Sequence, residues 1–304
     1  MKYLVQSMIK TIPVLLLITL IVFLLIRVTG DPVSLMLPET ATEEERDSLR
    51  ESMGLNEPLP IQYFSYLGDL MTGDFGDSFR YNTDALSLVL ERLPATFELA
   101  IASMVVAIII SVPLGILSAV KRNSFFDLFI TGGAVLGKAM PNFWLGIMLI
   151  LFLSVTFQIF PVSGRGTLGH LVLPAITLGT GIAAEMTRLI RSSMLEILEQ
   201  DFIRTARSKG LRESIIVNKH AFRNALIPVV TIMALQTATL VGGTLITETV
   251  FAWPGLGQLL VQSVNLRDMA VVQAATFIIA IFVILSNLLA DLIYRFLDPR
   301  IKYE

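Results

Sequence analysis

Six separate runs of mostly apolar residues, each near the roughly 20 that a helix needs to cross a bilayer, constrain what this 304-residue chain can become. They fall at roughly 7–27, 97–120, 128–157, 171–191, 226–249 and 271–296. In lipid every backbone N–H and C=O must find a partner within the protein, so such runs fold as spanning helices. Composition agrees, with 54% apolar residues and a mean hydropathy of +0.72, beyond what a soluble domain carries. The expected fold is all-α, a polytopic membrane protein with six transmembrane helices. Lys2 and Lys10 precede the first run, which therefore also fits a signal peptide. The absence of a small-x-small cleavage site and the direct continuation into "TGDPV" favour a retained helix.

The net charge of −2 says little, whereas the placement of Lys and Arg sets orientation. With both termini in the cytoplasm, fifteen of the 23 cations lie on the inner side and seven on the outer side and its margins, leaving Lys138 inside a span. The reverse topology reverses the bias. Without cysteine there is no disulfide, thiolate metal site or catalytic Cys. Only His170 and His220 supply imidazoles, and no H-E-x-x-H occurs. No catalytic residue and no metal site are expected, and no P-loop is present, so the chain itself cannot hydrolyse ATP.

Residues 29–95 form a large external insertion between the first two helices. Within "TEEERDSLRESMG", Thr42 and Glu45 are spaced as a capping box and Gly54 as a helix stop. No repeat divides the chain, so 1–304 is read as one membrane domain.

The stretch "DFIRTARSKGLRESIIVNKHAFRN", in the segment 200–224, is strongly basic in an otherwise apolar chain. Asp201 is placed to cap a short helix through Lys209, Gly210 to break it, and Glu213 to begin a second. In the second, Ile215, Ile216, Val217, Ala221 and Phe222 give an apolar side while Lys219, Arg223 and Asn224 stay polar. Physics alone allows an interfacial helix on anionic headgroups.

Extended to "DFIRTARSKGLRESIIVNKHAFRNALIPVVT", the stretch resembles the cytoplasmic coupling segment, or EAA loop, of permease subunits of bacterial ABC importers, in the peptide, nickel and glutathione group. "GDPV" at 30–33, "DFGDS" at 74–78, "MPNFWLGI" at 140–147, "FPVSG" at 160–164, "FAWPGLGQLL" at 251–260 and "DPRIK" at 298–302 extend the likeness. Thr205, Ala206 and Gly210 match the motif's Ala-Ala and Gly. Arg204 stands where the wider superfamily has Glu, and Pro228 lies later than its general spacing.

The resemblance implies the type I importer permease fold and import of short peptides by alternating access, with glutathione or a nickel chelate as alternative cargo. It further implies a second homologous permease, two ATP-binding subunits that hold ATP and Mg, an extracytoplasmic binding protein, and a place in the bacterial plasma membrane. Arg204, Thr205, Ala206, Arg207, Gly210, Leu211, Glu213 and Lys219 are then the residues that couple to the ATPase. The outer loop with Trp253, Pro254, Gly255 and Gly257, residues that oppose a regular helix, then lies near the binding-protein docking site. A stand-alone secondary transporter fits less well, because no inverted repeat is evident and the basic elbow would have no role.

For the path itself, Gln236, Thr239, Gly243 and Thr247 recur on one face of the fifth helix. Such a stripe either lines water or packs against a neighbouring helix. Lys138, near the middle of the third span among Gly132, Gly133, Gly137 and Pro141, would cost about 2.5–3.5 kcal/mol facing lipid. It either attracts a substrate carboxylate, pairs with Glu185, or snorkels. Asp291 precedes Arg295 by four residues, as in a helical ion pair.

Overall fold

The computed structural model describes residues 2–29, Val33, Leu37, 40–52 and 54–297. Most of "GDPV", all of "DPRIK" and the side chain of Arg295, with its expected partnership to Asp291, lie outside the described residues. The regular structure of the described chain is helical apart from one two-stranded hairpin. Contacts divide it into two compact units, residues 1–94 with 255–284, and residues 95–254 with 285–304.

The first unit opens with α1 (Lys2–Thr29), followed by α2 (Glu43–Ser52) and α3 (Leu59–Thr72). The capping box forms as the spacing predicts: Glu45 N–H donates to Thr42 Oγ1 at 3.3 Å and Thr42 N–H to Glu45 Oε2 at 2.9 Å. Gly54 closes the helix at φ +63°, a conformation that costs other residues more. Helix α3, which no sequence signal marked, packs its tyrosines on α1. Tyr63 O–H donates to Leu16 C=O at 3.0 Å, and Phe23 meets the Tyr63 ring edge-on. The hairpin pairs Asp77–Ser78 (β1) with Thr83–Asp84 (β2). Phe75, Val89, Leu259, Val271 and Ala274 form this unit's core.

Helix α4 (Ala85–Val120) contributes residues 95–120 to the second unit, which continues with α5 (Phe125–Ala139), α6 (Asn142–Leu149) and a π-helical turn (Ile150–Thr156). Then follow α7 (Leu168–Leu198), α8 (Asp201–Ser208), α9 (Glu213–Ile215) with a π-helical turn (Ile216–Ala221), α10 (Phe222–Gly243) and α11 (Leu245–Val250). Helices α12 (Leu256–Leu266) and α13 (Met269–Leu297) close the chain. Helix α7 crosses α4 where side chains are absent: a Cβ on Gly179 would sit 2.8 Å from Ser103 O, and one on Gly115 2.7 Å from Ile190 Cβ. Small residues at such crossings let membrane helices approach closely. Leu99, Met186, Ile190 and Met194 fill the core around them.

Six spans were expected. Three described helices, Ala85–Val120, Leu168–Leu198 and Met269–Ile293, are long and apolar enough to cross a membrane, and a broken pair gives a fourth. The apolar portions Thr11–Leu24 and Pro228–Thr237 are shorter than a span.

The broken pair corrects the reading of 128–157 as one helix. Residues 125–139 and 142–156 meet at an angle of 103°. Met140, the residue before Pro141, takes an extended conformation with ψ 128° because proline disfavours helical geometry in its predecessor. Lys138 therefore stands in the last turn of α5, at a break, and not at the middle of a continuous span. Likewise the predicted fifth span ends at Gly243, and α11 follows Thr244 as a separate short helix.

Candidate functional site

The basic stretch folds as an elbow, and all of it belongs to the second unit. Helix α8 buries Ile203 and Ala206 while Arg204, Thr205 and Arg207 stay exposed, the amphipathic division its sequence dictates. Gln200, not Asp201, occupies the N-cap, and Asp201 is the first helical residue. Gly210 turns the chain at φ +74°, with nothing within 4 Å of where a Cβ would stand. Backbone geometry, not crowding, requires glycine there.

Across that turn Arg207 grips Glu213 through Nη2 at 2.7 Å and Nε at 3.2 Å. The guanidinium holds the Glu213 carboxyl below the usual carboxylate range, and the carboxylate raises the arginine in return. The second arm is no separate short helix: helical structure runs unbroken from Glu213 through the π-turn into α10. Ile216, Val217 and Ala221 join the buried core, but Ile215 is exposed, contrary to its expected place on the apolar side. Phe202, Leu211 and Ile215 thus lie on the exposed surface with Arg204, Lys209, Arg212 and Lys219.

A second polar constellation lies among α5, α7 and α10. Lys138 Nζ donates to Glu185 Oε2 at 2.7 Å, and Gln236 Nε2 donates to the same oxygen at 3.0 Å. The pairing with Glu185 is one of the arrangements the sequence allowed. Lys138 lines two cavities. The larger, about 820 Å³, is shared with Thr131, Glu185, Arg188 and Arg191. The smaller, about 330 Å³, is shared with Asn142, Gly181, Gln236 and Thr239.

Of the polar stripe, then, Gln236 and Thr239 reach the same cavity. Thr247 does not: it sits on α11, buried, its hydroxyl without a partner among the described residues. Gly243 ends α10, and its surroundings lie outside the described residues.

Beside the larger cavity, Arg191 clasps Asp127 through Nε at 2.6 Å and Nη2 at 2.8 Å. Asp127 also accepts from Ser118 Oγ at 2.5 Å and from the Asn123 N–H at 2.9 Å. Sequence reasoning missed this knot. Its signal was the Ser124-x-x-Asp127 spacing at the start of α5, where the Ser124 side chain accepts from Asp127 N–H.

The loop after α11 is tighter than expected. Trp253 is 1% exposed and its indole N–H donates to Ala95 C=O at 2.8 Å. Gly164 N–H donates to Phe251 C=O at 2.8 Å, tying "FPVSG" to "FAW", and Arg165 pairs with Glu98 at 2.6 Å. Gly255 serves as the N-cap of α12 and Gly257 lies inside that helix, against the expectation that both would exclude regular helix. Glu248 on α11, which no sequence signal marked, is fully buried and accepts from Thr96 at 2.8 Å.

Comparison with known proteins adds to this geometry. Residues 111–303 match the family model described as binding-protein-dependent transport system inner membrane component, and residues 1–100 match that of its N-terminal part. The chain is 42% identical over 313 residues to an oligopeptide transport system permease protein of Bacillus subtilis, covering 99% of each. It is 38% identical to a dipeptide transport system permease protein of Escherichia coli K12, covering 100% of this chain and 99% of that one. A glutathione transport system permease protein of Pectobacterium atrosepticum is 40% identical, with 100% of both chains covered. Among solved structures, inward-facing MetNI methionine ABC transporter chains share the fold at TM-scores of 0.57 and 0.58, covering 69% of this chain and 96% of theirs at 22–23% identity. With full-length identity near 40% and a family model spanning most of its helices, the chain belongs to the inner-membrane permease components of binding-protein-dependent ABC transport systems.

Proposed function

We propose that this permease is one of two homologous membrane subunits of an ATP-driven importer of short peptides. It works by alternating access with two ATP-binding subunits, which hold ATP and Mg, and an extracytoplasmic binding protein. Both termini and the elbow face the cytoplasm in this reading, as the distribution of Lys and Arg favours. Relatives named for oligopeptides and dipeptides support peptide cargo. The similarity to a glutathione permease favours a tripeptide thiol as the second reading.

The elbow carries the proposal. Its inner side, Ile203, Ala206, Ile216 and Val217, is locked into the core, while its outer side presents cations around exposed Phe202, Leu211 and Ile215. An apolar centre rimmed by charge is the anatomy of a protein interface. Arg204, Lys209 and Lys219 would meet acidic groups in a cleft of the ATP-binding subunit, with Thr205 and Leu211 between them. Ala206 is buried and acts by fixing α8 in place. Because Glu213 continues without a break into α10, displacement of the elbow moves that helix directly. On the opposite side, Trp253 anchors the outer loop from within, so a docked binding protein would touch Ala252 and Pro254 instead.

The test is reconstitution of the complete importer in liposomes with external binding protein. Gly210→Pro cannot adopt φ +74° and should abolish peptide import while ATP hydrolysis continues and the chain still inserts. Normal import by this variant would overturn the elbow argument.

A further inference from the structure

From the Lys138–Glu185–Gln236 cluster we infer a transit site that recognises the two charged ends of a peptide, the carboxylate at Lys138 and the ammonium at Glu185. The inference rests on the importer reading above and concerns what this chain contributes to recognition.

The cluster differs from the other ion pair that joins the same two helices. Asp127 and Arg191 form a closed, bidentate contact that ties α5 to α7, with side chains only 7% and 27% exposed. Close approach of Gly137 to Thr180 and Ala184 adds to the tie. Lys138 and Glu185, by contrast, are joined at a single point with side chains 56% and 40% exposed. Between apolar helices such exposure cannot be to lipid at tolerable cost, so the pair faces water or a partner.

Two openings meet at this point. Lys138 lines both, Glu185 and Arg188 the larger, Gln236 and Asn142 the smaller. Volumes of about 820 and 330 Å³ lie within the range of roughly 300–1,000 Å³ found for small-molecule sites. The Met140–Pro141 break places Lys138 at the end of α5, and side chains at broken helices are where membrane transporters meet polar cargo.

The chemistry then follows from charge balance. A peptide with free termini can enter by exchange: its carboxylate takes the place of Glu185 on Lys138, and its ammonium takes the place of Lys138 on Glu185. One ion pair becomes two, and no charge is left without a partner. Gln236 already donates to Glu185 and holds the carboxylate in position while its partner changes. A peptide lacking either terminal charge strands one member of the pair. Glutathione, which has both charges, satisfies the same rule.

The experiment uses the reconstituted importer with saturating binding protein and measures import of alanyl-alanine, its C-terminal amide and its N-acetyl form. The ratio of free peptide to each blocked form is compared between wild type and variants, so selection by the binding protein cancels. Lys138→Gln should reduce the preference for the free carboxylate by about 10- to 100-fold, and Glu185→Gln the preference for the free ammonium by a similar factor. Lys138→Gln should leave the preference for the ammonium intact. Equal loss of all three substrates, or unchanged ratios, would refute the transit site and leave a structural pair. Failure of the wild-type assembly to import any peptide would instead overturn the peptide-importer reading itself.

Discussion

Replacing Asp127 by asparagine isolates what the buried ion pair contributes. The carboxylate accepts from Arg191 twice, from Ser118, from the Asn123 N–H, and from Thr131 at 3.3 Å. Asparagine keeps one acceptor oxygen but turns N–H donors toward a guanidinium that is itself only a donor. Removing one member of a buried pair costs about 3–5 kcal/mol. Arg191 is partly exposed and recovers some hydration, so the lower end, about 3 kcal/mol, is expected. At roughly 2 °C per kcal/mol for a chain of this size, the melting temperature in detergent should fall by about 6 °C. Trp144 and Trp253, the only two tryptophans, report the transition by fluorescence. The double variant Asp127→Asn/Arg191→Met removes the stranded cation and should recover at least about 1.5 kcal/mol relative to the sum of the single changes. A shift below about 2 °C for Asp127→Asn, or strict additivity in the cycle, would refute the reasoning.

The Arg207–Glu213 bridge gives a pH prediction. Because the folded carboxyl titrates lower than an unfolded one, its contribution is present above the unfolded value near 4.3 and is lost as pH falls through the folded value. Both side chains are about half exposed, so the loss should be under about 1 kcal/mol, read as faster hydrogen exchange across 201–215 at low pH. Glu213→Gln should show that fast exchange at every pH. At Trp253, substitution by Phe removes one hydrogen bond, costing about 1 kcal/mol, whereas Ala empties the site at about 3–5 kcal/mol. Binding-protein affinity unchanged in Trp253→Phe would agree with an internal anchor, and a large loss without destabilisation would place the indole in the docking surface.

Where sequence and structure agree, the determining physics is local. The Thr42–Glu45 box, the Gly54 and Gly210 turns and the short helix ahead of Gly210 each depend on residues within one or two helical turns, and each appears within a residue of its expected position. Apolar run length likewise located the long helices. Apolarity does not encode continuity, however: 128–157 reads as one greasy run, yet Pro141 imposes an extended Met140 and a 103° bend. Partner choice across the fold was legible only where few candidates existed, as for Lys138 and Glu185. Asp127 and Arg191 are 64 residues apart, and nothing in either neighbourhood names the other.

Burial of polar groups was the least legible property, and it separates the two kinds of charge in this protein. Glu248 is enclosed with Thr96 as one partner, and Asp127 is enclosed by five donors. Enclosed charges whose partners are fixed in geometry hold one arrangement and resist change. Lys138 and Glu185 are joined but open, as are the elbow cations. A subunit that alternates between states needs both kinds: closed pairs to keep each helix group rigid, and open charges whose partners can be exchanged at the surfaces where cargo and neighbouring subunits arrive. Exposure within the fold, more than residue type, therefore separates the charges proposed to serve transport from those that hold the helices together.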